Sequence, residues 1–263
     1  MLRLGGTASS SHMTVFKGLE RLFRDQGIDM DFVLYSDDQA VVDAFVAGEI
    51  DLAWNGPLNY VRIKKQLEEP CRVIAMRDVD LNFITHFITQ PDSDITTVED
   101  LPGKRFAFGS RGSVEAGLLA HYFLKQAGIN PKRDLALCTF REERPASSLS
   151  DQRDVVQRVR SGEYDAGAVS HRTLEVLAED GTLPRDSLRT FWSSPCYSHC
   201  CFTAQGGMDA ALYQQVAEAF LAVDPKDPVG KEVLDAEGCQ SFVAGIPEGW
   251  EMLERAAQEE GLI

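Results

Sequence analysis

The sequence predicts an α/β fold in which helix-covered sheets form two similar lobes. Three observations carry this: amphipathic helices that stop at glycine before short apolar strands, a near-repeat of one such joint, and the lack of any Gly-, Pro- or Ser-rich linker.

Taken in order, a first strand ends in Gly5-Gly-Thr-Ala-Ser-Ser-Ser-His, and Val15, Phe16, Leu19, Leu22 and Phe23 then share one helical face as far as Gly27. A strand over 31–35, a helix over 39–47 stopped by Gly48 and a strand over 50–54 follow, for which a parallel sheet covered by helices is the economical arrangement. Residues 72–76 and 83–89 read as strands around the polar Arg77-Asp-Val-Asp stretch, expected as the first crossing between lobes. In the second lobe, strands over 105–108, 135–140 and 166–169 alternate with helices over 114–127, 153–160 and 172–178. Residues 190–204 form the expected return crossing, and helices over 210–223, 231–237 and 247–260 pack back on the first lobe. The expected boundaries are 1–80 with 195–263 for lobe one and 81–194 for lobe two.

The near-repeat pairs Val46-Ala-Gly-Glu-Ile-Asp-Leu-Ala-Trp-Asn-Gly with Val159-Arg-Ser-Gly-Glu-Tyr-Asp-Ala-Gly-Ala-Val-Ser. Gly48 and Gly162 suit the left-handed position that ends a helix, and Asp51 and Asp165 lead into the strands. Each strand then opens at Asn55 or Ser170, where α/β sheets present ligands.

Composition narrows the function. The 263 residues are 44% hydrophobic and 25% charged, enough to bury one or two cores. A formal charge of −15 argues against nucleic acid or anionic lipid as a partner, because such binding is phosphate neutralisation by Lys and Arg. A small anion stays allowed, since that field is screened within about 8–10 Å while close donors are not. The apolar run at 83–88 is broken by Thr85 and His86, so membrane insertion is not expected. Six irregularly spaced cysteines suggest free thiols. The opening Met1-Leu-Arg-Leu-Gly-Gly-Thr has no apolar stretch of signal-peptide length, which reads as cytoplasmic as written and periplasmic if a leader has been removed.

The strongest site signal is Lys104-Arg-Phe-Ala-Phe-Gly-Ser-Arg-Gly-Ser-Val-Glu-Ala-Gly, a strand broken at Gly109 and followed by a helix after Ser113. Amides at a helix start, the Ser110 and Ser113 hydroxyls and the Arg111 guanidinium together offer what a phosphate-like oxyanion needs. Ser10 and His12 sit in a second hydroxyl-rich strand-to-helix turn. Trp54-Asn-Gly-Pro-Leu-Asn-Tyr adds a third loop, with Asn55 for hydrogen bonds and Trp54 and Tyr60 as apolar walls. In Pro195-Cys-Tyr-Ser-His-Cys-Cys-Phe, adjacent cysteines on a strand face opposite ways, so His199 is expected as a hydrogen-bond donor to the ligand and no metal is assigned. Glu142 and Glu143 beside Arg141 and Arg144 read as a solvated loop. No nucleophile–base pair, metalloprotease, Walker or dinucleotide motif appears, so neither catalysis nor a cofactor is expected.

Ala47-Gly-Glu-Ile-Asp-Leu-Ala-Trp-Asn-Gly-Pro, Leu101-Pro-Gly-Lys-Arg-Phe-Ala-Phe-Gly-Ser-Arg-Gly-Ser and Gly162-Glu-Tyr-Asp-Ala-Gly-Ala-Val-Ser together give a resemblance that runs essentially end to end. The chain resembles the phosphate/phosphonate/phosphite-type substrate-binding proteins of ABC transporters, built on the two-lobed class II periplasmic-binding-protein fold. That resemblance implies mixed sheets flanked by helices and a ligand cleft between lobes, closed by hinge motion near 77–84 and 191–198. It implies an anion held at Ser110 and Ser113, with opposing contacts from Ser10, His12, Asn55 and Tyr60, and an ABC permease as partner. Arg111-Gly112 departs from the Ser/Thr run more usual there, which leaves the ligand open. The alternative is an enzyme on the same fold: His199-Cys-Cys-Phe resembles, over a short stretch, the Cys-rich motif of thiamine-pyrimidine synthases, and menaquinone-biosynthesis proteins share the fold.

Overall fold

The computed structural model describes residues 1–263 and divides into two compact units, Met1–Asn82 with Ser198–Ile263, and Phe83–Tyr197. The first unit begins with β1 (Leu2–Thr7), α1 (Ser10–Asp25), β2 (Met30–Tyr35), α2 (Asp38–Val46), β3 (Leu52–Asn55), α3 (Pro57–Gln66) and β4 (Arg72–Arg77). The second contains β5 (Thr85–Thr89), β6 (Arg105–Ala107), a π-helical turn (Val114–Leu118) leading into α4 (Leu119–Gln126), then α5 (Pro131–Asp134) and β7 (Leu137–Thr139). It continues through α6 (Asp151–Arg160), β8 (Ala166–Ser170), α7 (His171–Glu179) and β9 (Arg189–Ser193). The chain then returns to the first unit with β10 (Cys201–Ala204), α8 (Ala210–Leu221), α9 (Pro228–Glu237), β11 (Phe242–Ala244) and α10 (Glu251–Glu259).

Each unit has its own mixed sheet, ordered β11-β4-β10-β3-β1-β2 in the first and β7-β6-β8-β5-β9 in the second. The parallel arrangement expected for the first strands holds, and the strand that makes this sheet mixed comes from the return of the chain. β1 pairs in parallel with β2 and β3, but β10 enters antiparallel between β3 and β4. The second unit repeats this plan, with β6 parallel to β7 and β8 and β5 antiparallel beside β8.

The near-repeat has a physical basis in matching joints. Gly48 (φ +71°) and Gly162 (φ +75°) both end a helix in the left-handed region, where a side chain would be strained. Asp51 then accepts the Arg3 amide at 2.8 Å and its own N–H bonds the Arg3 carbonyl at 2.9 Å. Asp165 does the same to Arg105, at 2.7 and 3.0 Å. One short acidic side chain thus aligns the incoming strand with its neighbour in both units.

Apolar periodicity places the cores. Phe16 and Phe23 from α1 pack with Trp54, Phe202 and Phe220 in the first unit, and Phe87, Phe106 and Phe108 are fully buried in the second. Several expected boundaries move for local reasons. α9 starts earlier than residue 231, because Asp227 caps it through Val229 and Gly230 amides and Pro228 takes the first turn. α10 starts after Gly249, whose φ of +93° ends the loop. The strand expected from Phe83 begins at Thr85, and Phe83 forms an isolated bridge with Tyr197. The helix expected over 114–127 opens as a wide turn, with the Leu118 amide reaching the Ser113 carbonyl, because the preceding loop presses on it: a Cβ at Gly117 would lie 2.2 Å from the Ser110 carbonyl oxygen.

Glu142 and Glu143 are exposed, as expected of a solvated loop, but Arg144 beside them is not. Arg144 is only 6% exposed, its Nε donates to Asp154 at 3.0 Å, and Asp154 also receives Arg158. Pairing permits this burial, since an isolated charge there would be costly.

Candidate functional site

In the second unit, β6 ends at Ala107 and the chain loops over Gly109 to Ser113 before the π-helical turn. Ser113 caps that turn by accepting the Ala116 amide at 3.2 Å, which leaves its hydroxyl proton for another acceptor. Ser113→Ala is expected to cost about 1 kcal/mol in chemical denaturation through loss of the cap alone. The Ser110 hydroxyl and the Gly112 and Val114 amides have no acceptor within the protein. Two hydroxyls and two amides at a helix start are the donor set that an oxyanion takes.

The other two amides of the loop are already engaged. Ser110 N–H donates to Asp151 at 2.5 Å, and Arg111 N–H donates to Glu142 at 3.0 Å. Burial pushes the Asp151 carboxyl up; the Ser110 amide opposes this, and the charges of Glu115 and Glu142 add to it. The Arg111 guanidinium, expected as an anion donor, pairs with Glu143 and stacks over Phe140, 4.1 Å from the ring centroid. It holds the loop. Ser170, 2% exposed, caps α7 by accepting the Thr173 amide at 3.1 Å and gives its own amide to Gln152 at 2.7 Å. Gln152 in turn donates to Glu115 at 2.5 Å, so Ser170 is tied to the loop through two side chains.

In the first unit, the turn between β1 and α1 is capped by Ser9, which accepts the His12 amide at 3.0 Å. Ser10 is therefore the first helical residue, and it is exposed. Both His12 ring nitrogens are engaged: Nδ1 donates to the Thr7 carbonyl at 2.6 Å and Nε2 accepts from Trp54 Nε1 at 3.1 Å. Trp54 belongs to the core face of the sheet, against Phe202. Asn55 is fully buried at the end of β3; its Nδ2 donates to Thr203 at 2.7 Å while Oδ1 has no partner. Tyr60, 3% exposed, packs on Trp250, and burial raises its phenol. Trp54 and Tyr60 thus act as packing behind the loops, and the exposed polar groups of this turn are the serines.

Asp80, His199 and Cys200 come together at the ends of β4 and β10. His199 Nδ1 lies 3.1 Å from Asp80 Oδ1 and 3.2 Å from Cys200 Sγ. Arg77 grips the same carboxylate through Nε (2.6 Å) and Nη2 (2.9 Å), and its Nη1 donates to the Glu237 carbonyl at 2.8 Å. Burial opposes ionisation of Asp80, yet hydrogen bonds from Arg77 and His199 outweigh it and hold the carboxyl below its ordinary range. Sequence reading missed Asp80, Arg77, Asp151 and Glu142. The i,i+3 spacing of Arg77 and Asp80 was the available signal for the first pair, and Asp151 at a helix start for the second.

With this geometry in hand, residues 13–250 match the family described as ABC transporter, phosphonate, periplasmic substrate-binding protein. The chain belongs to this family. Its members are binding proteins of transporters, not enzymes, so the biosynthetic readings fall away. The chain is 26% identical over 230 residues to the probable ABC transporter phosphite binding protein PhnD1 of Prochlorococcus marinus (strain MIT 9301), covering 84% of this chain and 75% of that one. It is 22% identical over 213 residues to the phosphate-import protein PhnD of Mycolicibacterium smegmatis, covering 77% of this chain and 64% of the relative. The structure of P. marinus PhnD1 in complex with methylphosphonate superposes with a TM-score of 0.72 at 24% identity, over 100% of this chain and 98% of that one. XAC2383 of Xanthomonas citri, bound to ATP, superposes at 0.73 with 18% identity, over 98% and 97%. These neighbours establish the two-lobed fold of periplasmic binding proteins. No helix is long and apolar enough to cross a membrane.

Proposed function

We propose that this protein captures a small phosphorus oxyanion of the phosphonate or phosphite type and delivers it to an ABC permease in the periplasm. The observation that carries the reading is the loop before the π-helical turn. Ser110 and Ser113 hydroxyls with the Gly112 and Val114 amides form a donor set without acceptors, in a chain of the phosphonate-binding family. The ligands in the names of its relatives, phosphite, phosphate and methylphosphonate, share the oxygens such a set binds. Within the first unit, His12, Trp54, Asn55 and Tyr60 hold the exposed turn at Ser10 from behind. Arg111 and Ser170 serve by fixing the loop, and His199, tied to Asp80, is given no ligand contact.

The reading is tested by thermal shift and calorimetry with methylphosphonate, phosphite, phosphate and sulfate. Ligand at a hundred times its Kd should stabilise the protein by about 2.7 kcal/mol. The Ser110→Ala, Ser113→Ala double variant is expected to weaken binding by about 2–4 kcal/mol, since two charge-assisted hydrogen bonds are lost. Unchanged affinity in that variant, or no shift with any phosphorus oxyanion, overturns the assignment.

A further inference from the structure

The cluster at the ends of β4 and β10 lies in the first unit and plays no part in the oxyanion site proposed above. It has three unlike donors, a carboxylate oxygen, an imidazole nitrogen and a sulfur, all within 4.8 Å of one another. We propose that Asp80, His199 and Cys200 form a binding site for a thiophilic divalent cation of the zinc type.

The geometry supports this first. In a tetrahedral zinc site with Zn–O and Zn–N near 2.0–2.2 Å and Zn–S near 2.3 Å, neighbouring donors stand about 3.3–3.6 Å apart. Here the Asp80 Oδ1 to His199 Nδ1 distance is 3.1 Å and the His199 Nδ1 to Cys200 Sγ distance is 3.2 Å. An outward shift of His199 Nδ1 by a few tenths of an ångström from each neighbour therefore brings both of these pairs to ligand spacing, and the fourth position is left to water.

The surroundings of the donors support it too. Ligating carboxylates are usually themselves hydrogen-bonded. Asp80 is held by Arg77 through both oxygens, and its Oδ1 also accepts the Cys200 amide at 3.2 Å. The His199 and Cys200 backbone is fixed as well, with the His199 amide on the Asp80 carbonyl at 3.0 Å and the His199 carbonyl receiving Trp250 Nε1 at 3.3 Å. The donors are thus placed by contacts that an ion need not break.

Binding exchanges the thiol proton of Cys200 for the metal ion and takes His199 as the neutral imidazole with its proton on Nε2, with no change of oxidation state. The chemistry selects zinc-like ions over Mg²⁺ or Ca²⁺, which prefer oxygen donors.

The test uses the full chain, stripped with EDTA under reducing conditions and titrated with Co²⁺ as a spectroscopic substitute. The expected result is one equivalent bound, with a thiolate-to-cobalt charge-transfer band that Zn²⁺ abolishes by displacement. Cys200→Ser should remove the band and His199→Gln should weaken binding at least tenfold, while Cys196→Ser and Cys239→Ser keep it. If Cys200→Ser does not fold, wild-type protein is alkylated with iodoacetamide instead: Zn²⁺ should protect Cys200 and leave the exposed Cys196 reactive. A titration without a stoichiometric band, a band that survives Cys200→Ser, or alkylation of Cys200 unaffected by Zn²⁺ overturns the proposal. Calorimetry with methylphosphonate on the same samples reports separately on the oxyanion site.

Discussion

Asp80→Ala is expected to lower the stability of the metal-free protein by about 3–5 kcal/mol in urea denaturation, a large share of the 5–15 kcal/mol typical of a folded domain. The carboxylate is fully buried and accepts four donors: Arg77 Nε and Nη2, His199 Nδ1 and the Cys200 amide. Truncation leaves the amide unpaired and strands the guanidinium with only the Glu237 carbonyl and a 3.3 Å contact to its carboxylate. Glu237→Gln should act in the opposite sense. Burial pushes the Glu237 carboxyl up to about 7, against the pull of Arg77. A folded state that keeps this proton longer than the unfolded chain binds more protons between about pH 4.5 and 7, so stability falls as pH rises through that window. The variant should lack that fall and stand above wild type at pH 8 by on the order of 2–3 kcal/mol. A destabilised Glu237→Gln at pH 8 would show that Arg77 needs both carboxylates ionised.

This network explains which parts of the molecule were legible in the sequence. Helices, glycine stops and the paired joints at Gly48 and Gly162 are local, and the matching bonds of Asp51 to Arg3 and Asp165 to Arg105 give the near-repeat its physical content. The loop at Ser110 and Ser113 was readable for the same reason, because a cap and a broken strand are short-range signals. What the sequence hid depends on distant pairing. β10 slots between β3 and β4 across about 150 residues, and only that pairing brings His199 and Cys200 to Asp80. Arg111 looked like a free cation because Glu143, Phe140 and Glu142 reach it only through the fold. Trp54, Asn55 and Tyr60 were correctly placed near a strand end, but which face of the sheet or helix they occupy is set by partners such as Phe202, Thr203 and Trp250.

Asp151 decides how the proposed oxyanion loop treats charge. Its carboxylate sits 2.5 Å from the Ser110 amide, with Glu142 on the next one, so a fully ionised phosphonate in this loop meets two carboxylates at close range. At an effective dielectric near 20, like charges about 4 Å apart repel by roughly 4 kcal/mol, an upper figure for a partly solvated site. Asp151→Asn keeps a carbonyl oxygen for the Ser110 amide and removes one charge. It is expected to tighten methylphosphonate binding by ten- to a hundredfold, about 1.4–2.7 kcal/mol by calorimetry at fixed pH. Because burial already raises the Asp151 carboxyl, acidification should reproduce part of this gain in wild type and none of it in the variant, once the ligand's own ionisation is matched between them. The contrary result, weaker binding by Asp151→Asn, would mean that the carboxylate accepts a proton from the bound ligand. The loop would then select oxyanions that carry a P–OH or an amine, with Asp151 as the residue that reads it.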